Sequence, residues 1–226
     1  YLSHFNKLNT ISFSLKNYIK LCNPRMYLNF CYNLRMDAYF KKEITYPYKG
    51  IKFIFEVADE LFSTFAIDHG TDMLIRHMTL NNPKTILDLG CGYGPIGIIL
   101  AKTNPEAQVV MVDTDLLAVR YTNSNIKKNN VLNANAIGSV GMEQVLNKNF
   151  DLIVSNVPAK IGDDAITQEF IMTPYNHLNP DGELWIVVVS ALNHLIPRVG
   201  LKNQLDMKLV RKRRGHSVYR IKKPNN

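Results

Sequence analysis

The sequence has few cysteines, and their arrangement suits neither a disulfide framework nor a zinc site. The three cysteines, Cys22, Cys31 and Cys91, are odd in number, and no two of them form a Cys-x-x-Cys pair. This pattern argues against a small domain held together by disulfides and offers no set of metal ligands. We therefore expect no bound metal and a reducing compartment.

Long apolar runs are also missing. No segment has the roughly 20 consecutive apolar residues that a membrane helix needs, and the first residues lack the apolar block of a secretory signal. We expect no membrane association and a cytoplasmic location. Because the sequence begins with Tyr1 rather than Met, a preceding segment that directs the protein to an organelle is left open.

Acidic residues are scarce relative to basic ones. The chain has 27 Lys and Arg against 19 Asp and Glu, which gives a net charge of +8 and an isoelectric point of about 9.3. Such an excess favours polyanionic partners, nucleic acid above all, and carries no information about the fold. The alternative is a basic protein whose charge serves solubility alone.

The scarcity of acid is most marked in residues 1–45, which contain almost none before Asp37. Aromatic residues alternate there with Lys and Arg, a combination that can hold RNA through phosphate contacts and base stacking. The alternative is an accessory helix that packs its apolar face on the main domain. A length of 226 residues suits one α/β domain with an appendage, so we predict a helical extension over residues 1–45 and one domain over 46–226.

The sequence does contain a glycine-rich turn between a strand and a helix. An apolar, β-branched run at 85–89 is followed by Gly90, Gly92, Gly94 and Gly97, and then by an apolar helical pattern. Glycine lets a ligand approach the backbone closely, and a helix N-terminus after such a turn can cradle a nucleotide-like ligand. The spacing also matches the dinucleotide fingerprint Gly-x-Gly-x-x-Gly, which alone is a weak signal.

Two aspartates bear on which ligand the turn binds. Asp88 precedes the first glycine by two residues, where its charge would repel a phosphate and favours a cationic or amine-bearing ligand. Asp113 ends the next predicted strand, 19 residues after Gly94. At about this distance an acidic residue accepts hydrogen bonds from the ribose hydroxyls of an adenosine. A dehydrogenase uses the same arrangement, so Asp113 indicates adenosine without choosing between cofactors.

Strand and helix patterns alternate along the rest of the chain. Further strands are predicted at 108–112, 134–137, 150–155 and 183–190, helices at 97–102, 116–128, 166–178 and 192–205, and a terminal antiparallel pair at 207–213 and 216–222. Residues 46–56 alternate in character and predict a strand or hairpin arm. The alternation with a terminal hairpin predicts a doubly wound α/β domain.

Several motifs stand in the order found in the small-domain methyltransferases. They are Phe62-Ser63, Asp68-x-Gly70-Thr71, the run from Asp88 to Gly97, Asp113, Asn156-x-Pro158 and Gly182-Glu183. On these residues the chain, from about Phe53 to Lys223, resembles the RsmC-like proteins, which are class I S-adenosylmethionine-dependent methyltransferases. They are similar to bacterial enzymes that methylate the 2-amino group of guanine in 16S ribosomal RNA. The resemblance implies a Rossmann-like, mostly parallel seven-stranded sheet.

The resemblance also implies S-adenosyl-L-methionine as the cofactor. The residues expected to bind it are Asp88, Gly90, Cys91, Gly92, Tyr93, Gly94, Asp113, Thr114, Ser139, Val140 and Asn156. In this reading Asp88 helps to hold the amino-acid end of the cofactor, directly or through water. Val140 occupies a position where relatives often have an acid for the adenine amine, so a backbone group would have to replace that acid.

Asn156, Val157 and Pro158 are the residues that the resemblance assigns to catalysis. The Asn-Pro-Pro motif of such enzymes offers the Asn side-chain oxygen and the next backbone carbonyl as acceptors for the target amine. Here Val157 replaces the first proline, and Ala159 stands where many amino methyltransferases carry an aromatic residue. The alternative for Asn156 is a cap on the turn that ends the strand.

Basic residues are concentrated in the terminal hairpin, and Arg211, Lys212, Arg213, Arg214 and Arg220 are the predicted RNA contacts. Contacts to phosphates would give an RNA affinity that weakens steeply with salt. We expect an RNA methyltransferase acting on a guanine exocyclic amine in ribosomal RNA, free or within a precursor particle. The alternatives are an RNA-binding or ribosome-assembly protein without turnover, a methyltransferase for a protein or small-molecule amine, and a nicotinamide dehydrogenase.

Overall fold

A computed structural model describes residues 39–59, 61 and 66–225. The chain divides into two compact units, Tyr1–Phe40 and Lys41–Asn226, and the described residues belong almost entirely to the second. The expected helical extension and the Phe62-Ser63 motif lie largely or wholly outside the described residues, so the boundary between 45 and 46 stays a prediction. Within the described ranges, no helix is both long enough and apolar enough to span a bilayer.

The second unit is built around a large β-sheet. Its strands, together with those of a separate hairpin, are β1 (Phe40–Tyr48), β2 (Ile51–Ala58), β3 (Thr85–Leu89), β4 (Gln108–Asp113), β5 (Ala134–Gly138), β6 (Phe150–Asn156), β7 (Leu178–Val189), β8 (Asp206–Arg213) and β9 (His216–Lys222). The hairpin consists of β1 and β2, and the large sheet has the order β5-β4-β3-β6-β7-β9-β8. Strands β3 to β7 run parallel, and β9 and β8 are antiparallel.

In the described residues, α-helices alternate with most of these strands along the chain. They are α1 (His69–His77), α2 (Pro95–Thr103), α3 (Leu116–Lys128), α4 (Asp163–Thr167), α5 (Thr173–Asn176) and α6 (Leu195–Lys202). A π-helical turn, Gln168–Met172, joins α4 to α5. This is the predicted doubly wound α/β domain, with its seven-stranded, mostly parallel sheet and its C-terminal antiparallel hairpin.

Several elements differ from the sequence prediction. The helix predicted over 166–178 is α4, the π-helical turn and α5 in succession, and the arm predicted over 46–56 is the hairpin of β1 and β2. Strand β7 begins at Leu178 rather than at 183, and the segment between the predicted helix and the predicted strand, Asn179-Pro180-Asp181-Gly182, is an irregularity within it. Asp181 has a φ of 60° there, and the pairing register with β6 shifts. Helix α6 starts at Leu195 rather than at 192, because Pro197 lacks an N–H and is tolerated only in the first turn of a helix.

The centre of β7 lies deep in the core of the domain. Leu184, Trp185 and Ile186 are almost completely inaccessible to solvent, as expected for a parallel strand covered on both faces. The outermost strand, β8, is instead rich in exposed Lys and Arg, which discourages pairing with another sheet edge.

The strand order fixes where a ligand can bind. Strand β3 lies between β4 and β6, so the winding of the chain reverses direction at its carboxyl end. Ligands of open α/β sheets bind in the crevice that forms at such a switch point. The glycine turn follows β3, and Asn156 is the last residue of β6, so both lie at this switch point.

Candidate active site

The glycine loop, residues 90–97, presents an open backbone surface at one position. Gly92 has a φ of 57°, and a Cβ built on it would have no neighbour within 4 Å. Gly94 has a φ of 94° and lies on the opposite side, where a Cβ would come within 2.8 Å of Thr122 Cγ2. The backbone at Gly92 is therefore open to close approach by a ligand, and Gly94 permits close packing on α3.

Strand β4 holds the loop through hydrogen bonds to its backbone. Val112 O accepts from the N–H groups of Gly90 and Cys91, at 2.9 and 3.0 Å. The carboxylate of Asp113 accepts from Gly92 N at 2.8 Å through Oδ2. Asp113, the residue predicted to bind the ribose, therefore lies against the loop that would bind the rest of the cofactor.

Two residues that the sequence analysis did not single out hold the loop from α3. Thr122 Oγ1 donates to Gly92 O at 2.7 Å, and Asn125 Nδ2 donates to Tyr93 O at 2.9 Å. Both side chains are fully buried. The only available signal was their place on the apolar face of α3, where a polar residue needs an internal partner.

The side chains of Cys91 and Tyr93 point away from solvent. Burial raises the pKa of the Cys91 thiol well above its ordinary value, and burial likewise raises the pKa of the Tyr93 hydroxyl. Both groups are therefore neutral at physiological pH. Since only 5% and 3% of these residues are exposed, they can act on a ligand chiefly through their backbone.

Asp88 lies beneath the glycine loop and has no solvent-exposed surface. Its Oδ2 atom accepts a hydrogen bond from Gly97 N at 2.8 Å, and its buried Oδ1 atom has no partner. Burial raises the pKa of Asp88 to about 7 in spite of the bond from Gly97, and the nearby charge of Asp113 acts in the same direction. The carboxylate is thus positioned to support the loop from inside, with one oxygen still available.

The remaining predicted cofactor residues lie where β4 and β5 end. Ser139 N donates to Asp113 O at 2.9 Å, which ties the two strand ends together. Thr114 is exposed. Val140 and Leu116 are apolar yet 59% and 72% exposed, respectively, and Leu116 Cδ2 lies close to Gly138 at the end of β5.

Asn156 has its side chain bonded to the start of α1. Its Nδ2 atom donates to Asp68 Oδ2 at 3.1 Å and to Thr71 Oγ1 at 3.0 Å. Among the residues that the structure describes, none donates to Asn156 Oδ1. Because the side chain bonds to α1 and not to the turn that follows β6, the turn-cap alternative does not describe it.

The residues after Asn156 form the outer wall of the site. Val157 is buried, and its N–H donates to Val187 O on β7 at 3.0 Å. Pro158 and Ala159 are exposed. On the other side, Ser155 Oγ donates to Leu89 O at 2.7 Å, so that the end of β6 is fixed next to the beginning of the glycine loop.

Four of the five predicted RNA contacts lie together at the tip of the β8–β9 hairpin. These four, called the basic tip below, are exposed; they are Arg211, Lys212, Arg213 and Arg214. His216, at the start of β9, pairs with Val189 on β7, and Val187 on β7 pairs with Asn156. The basic tip therefore lies at the same edge of the sheet as Asn156.

Arg220 does not belong to this group. It is on β9, in register with Trp185, and its Nη1 atom lies 3.5 Å from Glu183 Oε1. Its Nε atom is buried. Arg220 therefore lies away from the basic tip, in the part of β9 that pairs with the middle of β7. Within the described ranges, no cluster of His, Cys, Asp or Glu is placed to hold a metal ion.

Comparisons with known sequences place the chain among methyltransferases. The family model "Methyltransferase small domain" matches residues 52–220, which include the glycine loop and Asn156. Ribosomal RNA small subunit methyltransferase C of Pasteurella multocida (strain Pm70) is 38% identical over 137 residues, covering 58% of this chain and 40% of that protein. The corresponding protein of Haemophilus influenzae (strain Rd) is 32% identical over 166 residues, covering 72% of this chain and 49% of that protein. The chain thus spans about half the length of these relatives, or less.

A third relative has nearly the same extent as this chain. The uncharacterized protein YbxB of Bacillus subtilis (strain 168) is 29% identical over 188 residues, covering 81% of this chain and 92% of that protein. Among solved structures, the T. thermophilus 16S rRNA guanine-N2 methyltransferase (RsmC), in complex with AdoMet and guanosine, superposes with a TM-score of 0.71. It is 24% identical and covers 82% of this chain and 51% of that chain, a likeness that shows the fold. The protein therefore belongs to the methyltransferase small domain family, as the order of its motifs predicts.

Proposed function

We propose that this protein transfers a methyl group from S-adenosyl-L-methionine to the exocyclic amine of a guanine in ribosomal RNA. The observation that carries the proposal is the meeting, at one edge of the sheet, of an open glycine loop and the acceptor oxygen of Asn156. The names of the relatives from P. multocida and H. influenzae support ribosomal RNA as the substrate.

The residues at the switch point fit this cofactor. The open space at Gly92 accommodates a ligand against the loop, and the partnerless Oδ1 of Asp88 offers a buried negative or neutral acceptor for an amine. Asp113 has lone pairs beyond the two used by Gly92 N and Asp115 N, since a carboxylate accepts about four hydrogen bonds. Leu116 and Val140 offer apolar surface for the adenine.

The cofactor, when bound, supplies an electrophilic methyl group attached to a sulfonium. The protein's part is to hold the target amine in line with it. Asn156 Oδ1 accepts one hydrogen of the amine, and we expect the backbone carbonyl of Val157 to accept the other. Correct placement of two reactants accounts for a large part of the rate in such transfers.

The departure from Asn-Pro-Pro is compensated in part by the fold. Val157 lacks the rigid ring of proline, but it has an N–H, and the bond to Val187 O at 3.0 Å fixes the peptide between Asn156 and Val157 against β7, directly before the Val157 carbonyl. No aromatic side chain follows at Ala159, so stacking of the target base has to come from another part of the protein or from the RNA itself.

The basic tip supports RNA as the substrate class. Four exposed cations at the edge that carries Asn156 would bind phosphates beside the reacting base. The base must be unstacked or lie in a loop to reach the site. We place the reaction in the cytoplasm, on free ribosomal RNA or on a precursor particle.

The test is methyl transfer from labelled S-adenosyl-L-methionine to protein-free 16S ribosomal RNA and, in parallel, to small-subunit precursor particles. After digestion to nucleosides, we expect the label in N2-methylguanosine. Cofactor binding without any label in RNA would overturn the proposal in favour of an assembly factor without turnover. Label in protein or in a small molecule would overturn it in favour of a different amine substrate.

A further inference from the structure

The side chain of Asn156 has its two ends in different surroundings. Its amide nitrogen faces two oxygen atoms at the start of α1, Asp68 Oδ2 at 3.1 Å and Thr71 Oγ1 at 3.0 Å. An amide nitrogen has two hydrogens to donate, and these two acceptors use both of them. The amide oxygen is the end left for a ligand.

The orientation of this amide decides what the site can bind. If the amide oxygen of Asn156 faces the target amine, it accepts one of the hydrogens of that amine. If the amide nitrogen faces it instead, two hydrogen-bond donors meet and no bond forms. Rotation of the amide by about 180° exchanges the two ends with almost no change of shape. Shape alone therefore does not fix the orientation of the Asn156 amide. The hydrogen-bond partners of the amide have to fix it.

We propose that Asp68 and Thr71 are positioning residues that turn the Asn156 amide so that Oδ1 faces the substrate amine. A carboxylate oxygen only accepts hydrogen bonds, so Asp68 Oδ2 selects the nitrogen end of the amide. The identity of the amine rests on the proposed function, whereas the orientation of the amide rests on the contacts of Asp68 and Thr71 alone.

Asp68 is itself held in place by the helix that it begins. Its Oδ1 atom accepts from Gly70 N at 2.9 Å and from Thr71 N at 3.1 Å, as a helix N-cap does. The two carboxylate oxygens thus have separate tasks: Oδ1 caps α1, and Oδ2 holds Asn156. This division makes it possible to remove one task and keep the other.

The start of α1 is also packed tightly against β9. A Cβ built on Gly70 would lie 2.8 Å from His216 Cδ2, so the helix approaches the hairpin as closely as a glycine allows. Thr71 is only 3% exposed. Both acceptors are therefore fixed relative to the sheet before a substrate arrives.

The decisive variant is Asp68→Asn. The introduced amide keeps an oxygen for the cap, where Asn is about as good as Asp, but it presents its nitrogen to Asn156. The Asn156 amide then turns, and its nitrogen faces the substrate. We expect kcat for methyl transfer to fall at least about tenfold, while the Kd for S-adenosyl-L-methionine stays within about twofold and the melting temperature within about 2 °C.

A reciprocal pair of variants tests the direction of the bond. Asn156→Asp alone sets two carboxylates against each other, and we expect it to be nearly inactive. In Asp68→Asn/Asn156→Asp, the amide at position 68 donates to one oxygen at position 156 and leaves the other facing the substrate. We expect the double variant to exceed Asn156→Asp in kcat by at least about fivefold, which simple loss of capping would not produce.

Thr71→Ser and Thr71→Val form a matched pair in case the first variant loses stability. Serine keeps the hydroxyl acceptor and should keep activity, whereas valine keeps the shape without the hydroxyl and should lower kcat. If Thr71→Val and Asp68→Asn both turn over like the wild type, Asp68 and Thr71 do not orient the amide and the proposal is wrong.

A readout without turnover separates this proposal from the proposed function. The side-chain NH2 resonances of Asn156, assigned by their loss in Asn156→Ala, should exchange slowly with solvent in the wild type and at least about tenfold faster in Asp68→Asn. If the wild type transfers no methyl group but these resonances respond as expected, the proposed function fails and the positioning stands. If the exchange is equal in the two proteins, the positioning fails whatever the activity.

Discussion

The two halves of the large sheet form their parts of the site by different means. On the side of β3, β4 and β5, the glycine loop faces the ligand with its backbone, and buried groups such as Asp88, Thr122 and Asn125 hold that backbone in place. On the side of β6, β7, β9 and β8, the surface consists of side chains, namely Asn156 and the exposed basic tip.

This difference separates binding from transfer. Changes beneath the glycine loop disturb buried hydrogen bonds and packing, so they should lower both stability and cofactor affinity. Changes at Asn156 or at the basic tip remove groups that we assign to the substrate, and they should leave cofactor affinity nearly unaffected. The following predictions test whether the two halves are as independent as this comparison requires.

The largest effect is expected from Asn156→Ala. Removing the acceptor oxygen should lower kcat for methyl transfer by about 100- to 1000-fold, which is typical for the loss of one group that orients or stabilises the reacting atoms. The Kd for S-adenosyl-L-methionine should change by less than about twofold. Single-turnover kinetics and calorimetry measure the two quantities, and an equal loss in both would show that the halves are not separable.

The next effect is a pH dependence of stability in the half of the sheet formed by β3, β4 and β5, called the cofactor half below. The Asp88 carboxyl has a pKa of about 7 in the folded protein against an ordinary value of 3.8, so the folded state binds more protons between these values. The free energy of unfolding should therefore fall as pH rises from about 4 to about 7, by roughly 1 kcal/mol per pH unit, and level off above that.

Asp88→Asn isolates this contribution. The variant keeps an oxygen for Gly97 N but does not titrate, so the difference in unfolding free energy between it and the wild type should change with pH in that window. Urea unfolding at a series of pH values gives the difference. A constant difference from pH 4 to pH 8 would mean that Asp88 does not hold a proton in the folded protein.

A pair of glycine substitutions measures how tightly the cofactor half is packed. A Cβ at Gly97 would lie 2.5 Å from Met111 Cγ and 3.0 Å from Asp88 Oδ2, both buried. Gly97→Ala should therefore lower the free energy of unfolding by about 1–3 kcal/mol and weaken cofactor binding. Gly138→Ala is the control, because its Cβ would meet Leu116 Cδ2 at 2.7 Å, on a side chain that is 72% exposed and able to move. Equal losses in the two variants would contradict the account of packing beneath the loop.

The smallest effect is expected at the basic tip. Arg213→Ala/Arg214→Ala should weaken RNA binding by about tenfold at low salt and reduce the salt dependence of the affinity by roughly 0.7 in log–log slope for each phosphate that the variant no longer neutralises. Filter binding at several salt concentrations measures both. Lys84→Ala/Lys148→Ala is the matched control, because these exposed lysines precede β3 and β6 at the opposite edge of the sheet. An equal loss in the control would show that charge alone, not the place of the tip, determines RNA binding.

The sequence predicted the framework well, because its signals are local. The apolar run of β3, the glycine turn and the amphipathic pattern of α3 each contain their own information, and the predicted bounds of α3, Leu116–Lys128, are those of the structure. The start of α1 was also predictable, since Asp68 is a typical N-cap.

The contacts that complete the site depend on tertiary structure and were not predictable. Thr122 and Asn125 look like ordinary polar residues of a helix until the loop that they bond is folded against them. The pairing of Arg220 with Glu183 follows from the position of β9 between β7 and β8, which its local sequence does not specify. The bonds of Asn156 to Thr71 and Asp68 join residues 85 and 88 positions apart in the chain.

Isothermal titration calorimetry tests the central claim, that the glycine loop and its buried supports bind S-adenosyl-L-methionine. We predict a saturable heat with a stoichiometry of about one for this compound, the same in the wild type and in Asn156→Ala, and no heat with NAD. No heat with S-adenosyl-L-methionine, or a saturable heat with NAD alone, would contradict the account.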